Sequence, residues 1–286
     1  MAYAFGGIRF PLAECGDCGM RFLAVQPVGE SLAGLYSADY FEGDYRCGRA
    51  ASSSFDERPF VAENRALLDD FESLASPGRL LEVGCAAGWL LDHARARGWQ
   101  PHGVELSAAA ARFGRDRDLD VFHGDLLSAA FPSSHFDLVY MGDVLEHVPD
   151  CRATLAEVAR VLRPGGFLYL RGPTTTNSIA RALALRLYGA AGRTITLDEP
   201  PYHLWEFTPR SLARLSRAVG LDVVRARQTK IPPGRTHGRK TGLQRLAMGA
   251  LDAVNFRITL WLNVMGDRIV FVARKPDLQE DPPPGR

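Results

Sequence analysis

The stretch Arg79–Trp89, RLLEVGCAAGW, decides how this chain folds. It opens on apolar residues, reaches an acid at Glu82, and then sets Gly84, Ala86 and Gly88 at alternate positions. An apolar run of this kind reads as a buried strand, and small residues directly after it let the backbone turn tightly into a helix. The N–H groups that open such a helix lack partners within it, so they offer donors to an anionic or polar ligand. The turn therefore describes a nucleotide-type pocket. A dinucleotide-binding turn needs glycines in the order GxGxxG, whereas here the second place is Ala86 and the last falls on Trp89. A pyrophosphate fits this spacing badly.

Working outward, a helix is expected from Trp89 to Arg97, followed by WQPHGVELS as a second strand ending in Glu105. Glu105 either accepts the hydroxyls of a ribose or caps the helix that Ser107 begins. DVFHGDLL is a third strand ending near Asp125, which is either a ligand acceptor or a turn residue after Gly124. FDLVYMGD gives a fourth strand, Phe136 to Met141, leading into the loop VLEHVPD. CRATLAEVARVLRPGG has apolar positions at helical spacing, and Pro164 with two glycines is expected to end that helix before the strand FLYLRG.

With Glu82 as the acid, this ExGxGxG-type turn resembles motif I of the class I S-adenosylmethionine-dependent methyltransferases, and the likeness covers roughly residues 76–172. It implies a Rossmann-like α/β fold, a seven-stranded, mainly parallel sheet with helices on both faces, and S-adenosyl-L-methionine as cofactor. It also implies the cofactor contacts. Glu82, Gly84, Cys85, Ala86 and Gly88 would border the methionine end, Glu105 and Leu106 the ribose, Asp125 the adenine amino group, with Leu126 as a backbone donor and Met141 at the end of the fourth strand. Ala86 departs from the commoner glycine; a positive φ there would cost about 1 kcal/mol.

The resemblance places VLEHVPD beside the transferable methyl group. An oxygen or carbon acceptor must lose a proton as it is methylated, and a histidine is the natural base near neutral pH. His147 in that loop and His203 in PPYHLWEF are the candidates, the alternative being that each only ties backbone groups together. The expected activity is methylation of a small-molecule acceptor, with oxygen as first choice. C- or N-methylation of a sugar and a non-catalytic cofactor-binding role stay open.

Three regions divide the chain: an N-terminal segment over 1–57, a methyltransferase-like domain over 58–275 and a tail over 276–286 that is expected to be disordered. Within the domain, acceptor-side insertions are expected over 173–207 and 230–265, with strands LDVVRAR and DRIVFVARK between and after them, and Thr208 and Pro209 opening a helix. VAENRALLDDFESLA reads as a helix packed on the sheet. The N-terminal phrase ECGDCGMRFLAVQP carries a CxxCG turn at Cys15 and Cys18, half of a tetrahedral zinc site. This and the Tyr-Phe-rich stretch after it resemble a bacterial methyltransferase group with an N-terminal zinc ribbon, here truncated. Cys47 is a candidate third ligand and no fourth is visible, so no metal site is assigned. The aromatic residues between Leu35 and Phe60 either cover the cofactor or simply pack.

At 286 residues and 46% hydrophobic, the chain can bury one sizeable core with accessory pieces. A net charge of +1 does not indicate a general polyanion binder, and no nucleic-acid partner is expected. Cysteines at 15, 18, 47, 85 and 151 form no secreted disulfide framework, and no apolar run reaches membrane-spanning length, so a cytoplasmic setting is expected. From Arg225 to Arg245 there are seven Arg or Lys and no acid, which reads as a solvated face, a contact with an anionic or carrier-bound acceptor, or a peripheral membrane contact.

Overall fold

A computed structural model describes residues 2–26, 58–173, 187, 189–192, 194–196, 203–229, 253–264 and 266–277, with 58–60 as backbone alone. Strands β4 (Arg79–Val83), β5 (Gln100–Glu105), β6 (Asp120–His123), β7 (Phe136–Gly142), β8 (Leu162–Pro173), β11 (Asp222–Thr229) and β12 (Arg268–Arg274) form one seven-stranded sheet in the order β11-β12-β8-β7-β4-β5-β6. The pairs from β6 across to β8 are parallel, while β12 is antiparallel to both β8 and β11. The chain leaves β4 for β5 on one side and later returns to β7 on the other. That reversal opens a crevice beyond the carboxyl ends of β4, β5 and β7, where open α/β sheets take their ligands.

Both faces of the sheet are covered, which is why its strands read as near-continuous apolar runs. On one face α1 (Arg58–Glu72) and α2 (Trp89–Ala96) enclose Phe71, whose ring lies 5.0 Å from that of Tyr169 and 5.3 Å from that of Tyr140. Phe71 is fully buried, so truncation to alanine is expected to cost about 3–5 kcal/mol. On the other face α4 (Cys151–Val161) and α5 (Pro209–Ala218) press Leu155, Val158 and Leu212 onto Val139, Leu168 and Phe271. Between β5 and β6 runs α3 (Ala108–Arg115), capped by the Ser107 side chain, which accepts from Ala110 N–H. Thr208 caps α5 as expected, and a capping box closes through Ser211.

One local boundary differs from the expectation. Helix α4 stops at Val161, ahead of Pro164, and the chain runs extended from Leu162. The proline ring disfavours helical geometry at the residue before it, so the helix ends before the Pro-Gly-Gly rather than at it. The described part of the N-terminal segment is built into a sheet. Strands β1 (Ala2–Phe5), β2 (Ile8–Glu14) and β3 (Arg21–Leu23) form an antiparallel meander, and the 173–207 insertion adds β9 (Thr194–Thr196) and β10 (Trp205–Glu206) to make a second sheet, β10-β3-β2-β1-β9. Its small core is Tyr3, Leu23 and Leu204, and the Tyr3 hydroxyl donates to Glu206 Oε1 at 2.7 Å. Cys15 and Cys18 sit on the β2–β3 turn. Cys47, the aromatic stretch from Leu35 to Glu57, most of the basic run and the 278–286 tail lie outside the described residues.

Candidate active site

The turn after β4 is built as its sequence requires. Gly84, Ala86 and Gly88 all have positive φ, at 73°, 46° and 75°. A Cβ on Gly84 would meet Val144 Cγ2 at 2.5 Å, and one on Gly88 would meet Leu119 Cδ1 at 2.7 Å. Ala86 thus carries its methyl in the left-handed region, the strained case anticipated from the sequence. Arg117 braces the turn from outside, donating to Ala87 O, pairing with Asp92 at 3.2 Å and stacking 4.3 Å from the Trp89 ring. Cys85 turns its side chain into a cluster with Leu91, Ala111, Leu119 and Val121, so that side chain contributes packing.

Two carboxylates border this turn. Glu105 ends β5, is buried, and accepts from Ala86 N–H through Oε2 and from Ser107 N–H through Oε1, both at 2.8 Å. Burial raises its pKa, and those N–H donors pull it part of the way back. Glu82 is buried one strand away, and among the described residues its Oε2 has no hydrogen-bond partner. Burial pushes its carboxyl well above the ordinary carboxylate range, and the Glu105 charge adds to the effect. A buried, unsatisfied acceptor beside backbone turns that leave no room for side chains suits a ligand bearing donors, as a methionine ammonium group does. The donor set therefore fits S-adenosylmethionine.

The remaining residues expected around the cofactor are placed differently. Leu106 is 57% exposed beside Glu105, available to cover a ligand there. Asp125 is exposed, and its Oδ1 accepts from Ser128 N–H at 2.7 Å, so it does hold the turn after Gly124, while a carboxylate keeps further acceptor capacity. Leu126 and Met141 both have side chains buried in the main core, so a ligand could meet only their backbone.

Beyond β7 the loop 143–150 is held at several points. Asp143, at φ 53°, is gripped by Arg268 of β12 at 2.8 and 2.6 Å. Val144 packs over Gly84, and His147 N–H donates to Val144 O. Glu146 O accepts from Leu204 N–H at 2.8 Å, while Leu204 O accepts from Leu23 N–H of β3 at 3.0 Å. Trp205 Nε1–H donates to Val148 O at 2.7 Å. These bonds bring the two sequence-nominated histidines together: the rings of His147 and His203 lie 4.8 Å apart, centroid to centroid.

The sequence reading missed Glu146. Its side chain is 5% exposed, Oε1 lies 3.7 Å from His147 Nε2, and among the described residues that oxygen accepts no hydrogen bond. Burial, reinforced by nearby Asp143 and offset by Arg268, raises its carboxyl to about 8. An acid directly preceding a nominated histidine was the available signal. Its backbone carbonyl, however, is bonded by Leu204 of the distant insertion, and no local spacing encodes that.

Comparison with known proteins agrees with this fold. Residues 56–226 match the family described as a methyltransferase domain. The ubiquinone biosynthesis O-methyltransferase of Xanthomonas campestris pv. campestris is 34% identical over 179 residues, covering 58% of this chain and 73% of that one. The protein of the same name from Thiobacillus denitrificans is 30% identical over 153 residues, 50% of this chain and 64% of that one, a little under two thirds of its length. A SAM-dependent methyltransferase from Archaeoglobus fulgidus shares the fold with a TM-score of 0.54 at 15% identity, covering 82% of this chain and 99% of that one. With more than half of its length matched, the chain belongs to the methyltransferase-domain family, whose methyl donor is S-adenosylmethionine.

Proposed function

We propose that the protein transfers a methyl group from S-adenosylmethionine to a hydroxyl oxygen of a small molecule. The observation that carries this reading is the meeting of His203, from the insertion, with His147, on the loop whose Val144 packs against the glycine turn. Two curated relatives bearing an O-methyltransferase name support oxygen as the acceptor atom. The bound cofactor supplies a methyl carbon on a cationic sulfur that leaves as a neutral sulfide.

The chain's residues do the rest. Gly84, Ala86 and Gly88 admit the methionine end, with Glu82 and Glu105 as acceptors for its ammonium and for the ribose. Leu106 covers the nucleoside, and Asp125 with the Leu126 backbone addresses the adenine edge. Cys85 and Met141 support this pocket from below through packing. His147 and His203 promote loss of the acceptor's hydroxyl proton, and the rigid loop holds the acceptor close, where positioning supplies much of the acceleration.

Among the described residues no helix is long and apolar enough to cross a membrane. A cytoplasmic setting and an anionic or carrier-bound acceptor are part of the proposal, the latter supported by the basic run from Arg225 to Arg245. The test is turnover against a panel of hydroxyl-bearing acceptors by the unmodified chain and by His147→Gln and His203→Gln. Loss of methyl ether formation by about 10²–10⁴-fold, with S-adenosylhomocysteine affinity unchanged, supports the reading. Product methylated on carbon or nitrogen, or full turnover by both variants, overturns it.

A further inference from the structure

We infer that Glu146, His147 and His203 form a binding site for one divalent transition-metal cation, which holds the acceptor oxygen. The inference rests on the proposed acceptor site and says how its histidines act. One carboxylate oxygen and one imidazole nitrogen from each histidine lie within 4.8 Å of one another, and among the described residues this is the group of three such side chains so placed. Two imidazoles and one carboxylate are the donor set that catalytic zinc sites and other open divalent sites use, leaving positions for a water or a substrate oxygen.

Distances and burial both suit a cation. Metal–nitrogen and metal–oxygen bonds of about 2.0–2.2 Å put two ligands of one ion no more than about 4.4 Å apart. Glu146 Oε1 and His147 Nε2, at 3.7 Å, already meet that bound, and the widest pair has to close by only a few tenths of an ångström. The spacing is too long for a good hydrogen bond between carboxylate and ring, yet Glu146 Oε1 is buried without an acceptor role among the described residues. A cation between them satisfies that oxygen.

The three ligands also stand on a braced frame. Glu146 and His147 share the loop tied by Asp143 to Arg268, and His203 precedes Leu204, whose N–H bonds to the Glu146 carbonyl. Loop and insertion are thus fastened to each other at the ligands themselves, so the site is assembled before any ion arrives. A hydroxyl that binds the cation exchanges its O–H bond for a metal–oxygen bond, and the proton passes to solvent water. The oxygen is then available to attack the methyl carbon, a task for which a bound divalent ion lowers the pKa of water itself to about 7.

The test is Co(II) binding to the full chain after chelator treatment, followed by visible absorption and titration, with no acceptor or turnover needed. The expected result is one equivalent bound, without a thiolate-to-metal band, and retained by a Cys15→Ser/Cys18→Ser variant. Glu146→Gln, His147→Gln and His203→Gln should each weaken binding by more than about a hundredfold, since even outer-sphere losses cost 10–100-fold. Unchanged binding in the histidine variants, a thiolate band, or no binding to the unmodified chain overturns the site. The outcomes separate from those above: a chain that makes methyl ethers but binds no Co(II) keeps its proposed function and loses the metal. One that binds Co(II) through these residues but methylates nitrogen or carbon does the reverse.

Discussion

Val144 Cγ2 fills the space in which a Cβ on Gly84 would sit, 2.5 Å from it. The glycine turn after β4 and the loop that carries Glu146 and His147 are therefore in direct contact, and a change in one is felt by the other.

Gly84→Ala meets two obstacles, the positive φ of 73° and the Val144 methyl. Destabilisation of about 1–3 kcal/mol is expected, together with clear loss of S-adenosylhomocysteine affinity by calorimetry. Adding Val144→Ala should recover the steric part and leave the backbone part. A Gly84→Ala chain as stable and as tight-binding as the original would contradict the contact.

Ala86 stands at φ 46° with its amide N–H bonded to Glu105. Ala86→Gly removes the left-handed strain while adding freedom to the unfolded chain, so a gain of up to about 1 kcal/mol is expected in urea unfolding. Ala86→Val, β-branched at the same φ, should lose stability. The reverse order would show that the alanine is not strained.

Glu105 satisfies two backbone donors at once, those of Ala86 and Ser107. Glu105→Ala leaves both without their acceptor, at roughly 1–3 kcal/mol for each donor that water cannot reach. Glu105→Gln keeps one carbonyl oxygen and should fall between the two. Thermal melts of the three proteins check the ranking, and equal melting temperatures would refute it.

Glu82 and Glu105 are both raised in the folded chain, first by burial. The folded state then holds protons that the unfolded state releases near pH 4.5. Their contribution is therefore complete below that pH and is lost as pH rises through the folded values. Unfolding of the cofactor-free protein should show stability falling with pH above the usual carboxylate range, and Glu82→Gln should flatten that fall. A slope unaltered by the substitution would mean that Glu82 is ionised from the start.

The sheet was legible because β4, β5, β7 and β8 are enclosed on both faces, so burial wrote itself into apolar runs ending at Glu82, Glu105 and Gly142. The two histidines stood out in the sequence as candidates, one in the loop after β7 and one in an insertion. Their junction did not. It depends on β10, a strand of two residues whose partners Arg21 and Phe22 lie more than half the chain away, and no periodicity survives in so short a segment. Asp125 shows the converse: a GD pair reads equally as ligand or turn, and the bond to Ser128 N–H accounts for the turn alone.

Leu204 takes a hydrogen bond from Leu23 and gives one to Glu146. The opening strands of the chain thereby act as scaffolding for the loop that carries Glu146 and His147 and for the insertion that carries His203. Editing the first few strands, by trimming, tagging or exchange with a relative, would retune which molecule is modified while leaving the nucleoside end of the pocket as it was. Substrate choice and donor recognition would then be free to diverge separately.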